Sequence, residues 1–347
     1  MAKEFFADKT TSYYITERNF RRYFSGVDIA EGVLIAGVNP VYFIDARYFY
    51  SAKELLKDSV IKPVLYNGQE DIKNYIKQNK IKNLGVDFDN QTVSEYLRLK
   101  NLGVKIFDSS SQLALIRAVK TEQELENIKK ACEITERAFN ATLKTVEEGI
   151  TEIELKDRLE GFMRIYGAEG VAFETIVAFS KNSAVPHHQT GNTVLEKDTV
   201  ILIDCGAKYN GYSADFTRTF VFGNPPSGFI ENYNAVKTAN ELAINSASSA
   251  ITANELDQVA RNSLKKVGLE KYFTHSLGHG LGLEIHEYPA ISFRNTKPLI
   301  NGMAFTIEPG VYFDGEYGIR IEDTVVLDNG KAKRLFSDNK ELIIIKK

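Results

Sequence analysis

Residues 200–220 hold the pattern that most restricts this chain: Val200-Ile-Leu-Ile-Asp204-Cys-Gly-Ala-Lys-Tyr-Asn-Gly-Tyr-Ser-Ala-Asp215-Phe-Thr-Arg-Thr-Phe220. An apolar run up to Ile203, the turn pair Asn210-Gly211 and the aromatic and β-branched residues from Tyr212 read as a β-hairpin. With the turn centred between Tyr209 and Asn210, Asp204 and Asp215 fall directly opposite one another. Cβ atoms so placed are roughly 4.5–5.5 Å apart on one face of the ladder. Facing carboxylates repel, and either a shared proton or a bound cation reconciles them. The hairpin alone does not choose.

At 347 residues the chain has room for two domains, which run roughly 100–200 residues each. Charged residues make up 26% and the net charge is −3, so nothing favours nucleic acid or an anionic membrane as partner. No apolar run reaches the ~18–20 residues of a membrane span. The start, Met1-Ala-Lys-Glu-Phe-Phe-Ala-Asp-Lys9, places charges where a signal peptide needs an apolar core. Cys132 and Cys205 are too few for a disulfide framework and suit a reducing cytosol. A cytoplasmic location is expected. All five histidines (His187, His188, His275, His279 and His286) lie in the second half, beside the hairpin.

Up to Ser111 short apolar runs alternate with helical spacing. Residues 32–37, 41–44, 63–66, 83–87 and 104–107 read as strands. Ile72, Tyr75 and Ile76, and again Val93, Tyr96 and Leu97, repeat at helical intervals. The expectation is an α/β domain over residues 1–115 with a mostly parallel or mixed sheet, closed by the polar boundary Ser109-Ser-Ser111. It has no histidine, glycine-rich phosphate loop or evident catalytic pair, so its role reads as scaffolding, assembly or substrate restriction.

Residues 116–347 read as a second, catalytic domain. Thr121-Glu-Gln-Glu124 and Thr151-Glu-Ile-Glu154 are capping boxes that open two helices, the second stopped at Gly167. The acidic hairpin follows. The same order then recurs: a helix after Pro225-Pro226, a third box at Thr252-Ala-Asn-Glu255, and a hairpin turning at Asp314-Gly315. In that hairpin Glu308 and Glu322 are equidistant from Gly315 and can face each other. The domain therefore reads as an internal duplication of helix, helix and acidic hairpin.

Two opposed carboxylate pairs cannot all ionise in one pocket without cations. With the histidine segment between them they have the composition of a dinuclear metal site, its ions ~3.5–4 Å apart. Carboxylates with one imidazole suit Mn²⁺, with Co²⁺, Zn²⁺ or Fe²⁺ as alternatives. In that segment His275 and His279 have helical i, i+4 spacing, but Gly278, Gly280 and Gly282 favour extended backbone, where the even offset also shares a face. Cys205 alternates to the opposite face from Asp204 and reads as buried and apolar. Arg218 reads as a structural partner of acidic neighbours, and His188 as structural or exposed.

Asp204-Cys-Gly, Tyr212-Ser-Ala-Asp215-x-Thr-Arg-Thr, Gly278-His279-Gly, Thr306-Ile-Glu308-Pro-Gly and Ile319-Arg-Ile-Glu322-Asp-Thr resemble the metallopeptidases of the pita-bread fold, family M24. The similarity is greatest to the Xaa-Pro peptidases, aminopeptidase P and prolidase, and spans nearly the whole chain. It implies a ribonuclease H-like, creatinase-type N-terminal domain and an α+β pita-bread catalytic domain with a pseudo-twofold repeat. By resemblance Asp204 binds one of two divalent metal ions, Asp215 and Glu322 bridge both, and His279 and Glu308 complete the other. Glu308 also moves a proton, and His286 stabilises the oxyanion. His187 contacts the substrate near the scissile bond, and His275 lines the proline-side pocket. Arg320 orients a metal carboxylate such as Asp204.

Two departures stand out. Ala214 replaces a common serine, and His187-His-Gln-Thr-Gly-Asn192 lacks the usual Pro-Thr-Asp-Arg run. The expected activity is an Xaa-Pro aminopeptidase acting on small peptides with proline second, with Xaa-Pro dipeptidase as the alternative. A homodimer is implied by the family. A creatinase-like hydrolase and a non-enzymatic binding module are remoter readings, because both go with a degraded ligand set and all five ligand positions are filled here.

Overall fold

The structure, a computed structural model, describes residues 11–37 and 39–346. The nine N-terminal residues considered for targeting lie outside the described residues. The chain divides into two compact units, Met1–Arg117 and Ala118–Lys347. Among the described residues no helix is long and apolar enough to cross a membrane.

In the first unit the elements run β1 (Thr11–Ile15), α1 (Arg18–Ser25), β2 (Gly32–Ala36), β3 (Val41–Ile44), α2 (Ala46–Leu55), β4 (Lys62–Leu65) and α3 (Gln69–Gln78). Then come β5 (Asn83–Val86), α4 (Val93–Lys100), β6 (Lys105–Asp108) and α5 (Ser110–Ala118). The strands form one mixed sheet in the order β4-β3-β2-β1-β5-β6. The β1–β2 and β2–β3 pairs are antiparallel and the remaining pairs parallel. Successive residues feed opposite faces: Tyr13, Leu34 and Tyr42 enter one core, and Tyr14, Ile35 and Phe43 the other. Burial on both faces explains why these strands read as continuous apolar runs rather than alternating ones.

Two features of this unit escape the sequence reading. Strand β1, in the middle of the sheet, is only five residues long and lacks flanking turn residues. Ser109-Ser-Ser111, expected as a polar boundary, instead leads directly into α5. The Asp108 carboxylate accepts from the Ser110 amide at 3.0 Å and its hydroxyl at 2.6 Å. Short polar residues favour helix starts as much as linkers, so composition could not separate the two.

The second unit opens with α6 (Glu122–Leu143) and α7 (Glu152–Ile165), each started by its expected capping box. Strands β7 (Gly170–Val171), β8 (Ile176–Phe179), β9 (Thr199–Cys205), β10 (Ala207–Tyr209), β11 (Tyr212–Ser213) and β12 (Phe216–Phe222) follow. Helices α8 (Phe229–Ser246) and α9 (Ala253–Lys265, on the third box) repeat the pattern. They lead to β13 (Gly278–Gly280), β14 (Glu287–Ile291), β15 (Ala304–Ile307), β16 (Gly310–Phe313), β17 (Tyr317–Arg320) and β18 (Asp323–Asp328). Strands β19 (Lys331–Arg334) and β20 (Ile344–Ile345) close the chain.

Each half packs its helix pair on its own strands. Ile128, Phe139 and Leu159 meet Ile201, Ile203 and Phe216 in one core. Val236, Leu256 and Ala260 meet Phe305, Ile319 and Val325 in the other. The expected duplication is thus the architecture observed, with an α/β unit before a pita-bread unit.

The first hairpin differs from expectation in register. Asn210 and Gly211 both have positive φ, 48° and 79°, the mark of a two-residue type I′ turn. The turn is centred between them, and Thr217, not Asp215, pairs with Asp204. Asp215 is the diagonal neighbour, about 7–8 Å away along the ladder. A two-residue shift keeps the same face, so both carboxylates still point one way. In the second hairpin β15–β18 and β16–β17 share one register, which places Glu308 opposite Glu322 as expected.

Gly278 and Gly280 frame His279 because a side chain has no room at either position. A Cβ would stand 2.0 Å from the Thr306 carbonyl oxygen at Gly278 and 2.3 Å from that of Tyr288 at Gly280. Close backbone approach is therefore what these glycines serve. The strand is shorter than expected, and His275 precedes it.

Candidate active site

Both acidic hairpins and β13 deliver their side chains to one cavity of about 600 Å³. Asp204 sits near the end of β9, Asp215 immediately before β12 and His279 in the middle of β13. Glu308 follows β15, and Glu322 lies between β17 and β18. Ligand atoms of Asp215, His279 and Glu322 fall within 4.8 Å of one another. His279 Nε2 stands 3.5 Å from Asp215 Oδ2 and 3.4 Å from Glu308 Oε1. The other candidates, His187, His275, His286 and Arg320, line the same cavity. All nine are thus brought together.

The site concentrates unreconciled negative charge. Burial first, then Glu322, Asp204 and Glu308, push the Asp215 carboxyl well above its usual range. Glu322, 1% exposed, is raised by burial and by Glu308 and Asp204. Burial lifts Glu308 to about 8 against the lowering pull of Arg320. The same burial depresses the imidazoles, His279 to about 4 and His275 to about 3. They are neutral near pH 7, with nitrogen lone pairs available.

Arg320 organises one wall. Its Nη2 donates to Asp204 Oδ2 at 2.7 Å, its Nη1 to Tyr312 Oη at 2.8 Å and its Nε to Thr217 Oγ1 at 3.1 Å. Thr217 donates in turn to Glu322 Oε2 at 2.6 Å. Tyr312 Oη lies 2.9 Å from His275 Nε2. Thr306 Oγ1 donates to Glu308 at 3.2 Å and accepts from the His279 amide at 3.0 Å. Behind the carboxylates, Asn240 Nδ2 donates to the carbonyls of Ile307 and Ile321, the residues before Glu308 and Glu322.

These partners were missed in the sequence. Thr217 would have emerged from the correct turn centre, and Thr306 from its i, i+2 relation to Glu308 on one strand face. Tyr312 and Asn240 carry no comparable signal. His188, read as structural or exposed, lines the cavity but hydrogen-bonds through Nε2 to buried Glu152 at 2.9 Å. Cys205 is wholly buried in the apolar core, as expected.

The donor set fits divalent cations. Four carboxylates and a neutral imidazole face one guanidinium, and Asp204 Oδ1 is buried without a hydrogen-bond partner. A buried carboxylate oxygen without a partner, on a cavity that three further acidic candidates also line, is expensive unless a cation satisfies it. Oxygen-rich ligation of this kind suits Mn²⁺-like ions better than thiolate sites.

Comparison with known proteins agrees. The model of metallopeptidase family M24 matches residues 126–329, and that of the creatinase/prolidase N-terminal domain matches residues 3–119. An Xaa-Pro dipeptidase of Pyrococcus furiosus is 37% identical over 92% of both chains. A solved Xaa-Pro dipeptidase from Bacillus anthracis superposes with a TM-score of 0.93 at 32% identity, covering 99% of this chain and 98% of that one. A solved X-Pro aminopeptidase from Thermotoga maritima gives 0.90 at 35% identity, covering 99% of each chain. Convergent carboxylates, matching domain models and full-length relatives lead to one conclusion: the chain belongs to metallopeptidase family M24, enzymes that hydrolyse peptides with divalent metal ions.

Proposed function

We propose that the chain is an Xaa-Pro dipeptidase that works with two divalent cations, Mn²⁺ foremost. The observation that carries this reading is the convergence of Asp215, His279 and Glu322 within 4.8 Å, with Asp204 and Glu308 beside them. The sequence placed the aminopeptidase first. The Pyrococcus and Bacillus relatives support the dipeptidase better, while the Thermotoga structure keeps the aminopeptidase as the competing outcome.

In this reading Asp204, Asp215, His279, Glu308 and Glu322 hold the ions. When bound, these supply a Lewis acid and a water of lowered pKa. Glu308 accepts a proton at its carboxylate and returns it toward the leaving nitrogen, a role open to a carboxylate that lines the cavity beside the other ligand candidates. Exposed His187 and His286 and half-buried His275 line the cavity and would meet the substrate there. Arg320 fixes the orientation of Asp204 through their 2.7 Å contact. Two copies of the chain are expected to pair, which light scattering reads as twice the chain mass.

Thr217 gives a direct check on the ligand assignment. Thr217→Val keeps the shape but removes the hydroxyl between Arg320 and Glu322. Metal affinity should fall by roughly 10–100-fold, the usual effect of losing a hydrogen bond behind a ligand. Competition with a chelator measures it.

X-Pro dipeptides and X-Pro-X tripeptides, offered to chelator-stripped and Mn²⁺- or Co²⁺-reloaded protein, test the activity. Metal-dependent hydrolysis of the dipeptide is expected. Preference for the tripeptide would establish the aminopeptidase instead, and no metal-dependent cleavage of either would overturn the peptidase reading.

A further inference from the structure

Glu152 is the first residue of α7, and its side chain is 0% exposed. Four donors from one segment converge on its carboxylate. Oε1 accepts from the Phe179 amide and from Asn182 Nδ2, both at 2.8 Å. Oε2 accepts from the Gly191 amide at 3.1 Å and lies 2.9 Å from His188 Nε2. A buried carboxylate is tolerated when every lone pair is so engaged, and the first helical turn adds a favourable dipole. One side chain thus grips both ends and the middle of residues 179–191.

The middle of that segment is cavity wall. Pro186, His187, His188 and Gln189 all line the cavity. From the opposite side Arg320 Nη1 reaches the Pro186 carbonyl at 3.5 Å, and Ser183 Oγ accepts from the Gly318 amide at 2.8 Å. His187 is therefore suspended between the Glu152 anchor and the strand that carries Arg320. His187 shares the cavity lining with His275 and His286.

We propose that Glu152, with His188 as its partner, is the positioning residue that presents His187 to the substrate. The idea rests on the cavity being the peptidase site. It also gives His188 a role: the residue one past the substrate-facing histidine anchors the wall.

A double-mutant cycle tests it with Mn²⁺-loaded protein and an X-Pro dipeptide. Glu152→Gln, His187→Ala and the double variant are compared for kcat, KM and metal content. Glu152→Gln should lower kcat/KM on the order of tenfold alone and less than about twofold once His187 is already alanine, since groups acting through one another are non-additive. Metal content should not change. Equal losses in both backgrounds, no loss from Glu152→Gln, or no effect of His187→Ala would each overturn the proposal. If Glu152→Gln does not fold, His188→Ala takes its place in the cycle. His188→Gln, which keeps a donor, should restore activity, and failure to do so overturns the proposal. The wild-type arm reads the peptidase function separately, so the two ideas fail independently.

Discussion

Glu322→Gln should reduce kcat/KM by on the order of 10²–10³-fold, the scale on which loss of a preorganised charge acts, while the protein stays folded. Glutamine keeps the size of the side chain and a carbonyl oxygen for the 2.6 Å bond from Thr217. What it removes is one charge from four carboxylates that share a buried wall with a single guanidinium. The same change should raise the melting temperature of metal-free protein. Burial and then Glu322, Asp204 and Glu308 hold Asp215 above the usual carboxylate range, and burial and then Glu308 and Asp204 do the same for Glu322, so neutralising Glu322 removes a buried charge and relieves Asp215. Opposite signs for activity and metal-free stability identify a site arranged for cations rather than for its own folding. Calorimetry on chelated protein, beside kinetics on reloaded protein, reads both. A variant that loses activity and metal-free stability together would speak against this account.

Arg218→Met should cost about 3–5 kcal/mol of stability, the usual consequence of stripping one partner from a buried ionic network. Arg218 is 2% exposed and bonds to both oxygens of Asp338, to Asp323 and to the carbonyls of Thr217 and Glu322. Burial alone would raise Asp323, yet Arg218, Arg334 and Lys340 hold it down at about 2. Without Arg218, Asp323 keeps only Arg334 and Lys340, and the backbone of Glu322 loses a 2.6 Å donor. The melting temperature should fall by on the order of 10 °C. A change below about 1 kcal/mol in denaturant titration would place Arg218 among the surface pairs, whose median value is that small.

The metal-site candidates were legible because residue type and spacing both signal them. Asp204, Asp215, Glu308 and Glu322 fall at or beside strand ends around turns marked by Asn210-Gly211 and Gly315, and His279 sits between Gly278 and Gly280. Even the misplaced first turn did little harm. A shift of two residues changes the partner of Asp204 from Asp215 to Thr217 but leaves the face unchanged. The groups that hold the carboxylates in place are another matter. Tyr312 meets His275, and Asn240 spans the strands before Glu308 and Glu322, through contacts made only when distant segments pack. Neutral side chains at long separation leave no periodicity to read. The five-residue β1 and the serine-led α5 went unread for a related reason: local composition allows several structures, and packing selects one.

The two acidic hairpins are proposed to form a single dinuclear cage. Metal analysis by mass spectrometry, after chelation and dialysis against Mn²⁺, tests it most directly. About two ions per wild-type chain are expected and, because Asp204 leaves one oxygen unsatisfied at the cavity, retention should be lost in Asp204→Ala. A wild-type value well below one ion per chain, or two ions still held by Asp204→Ala, would contradict it.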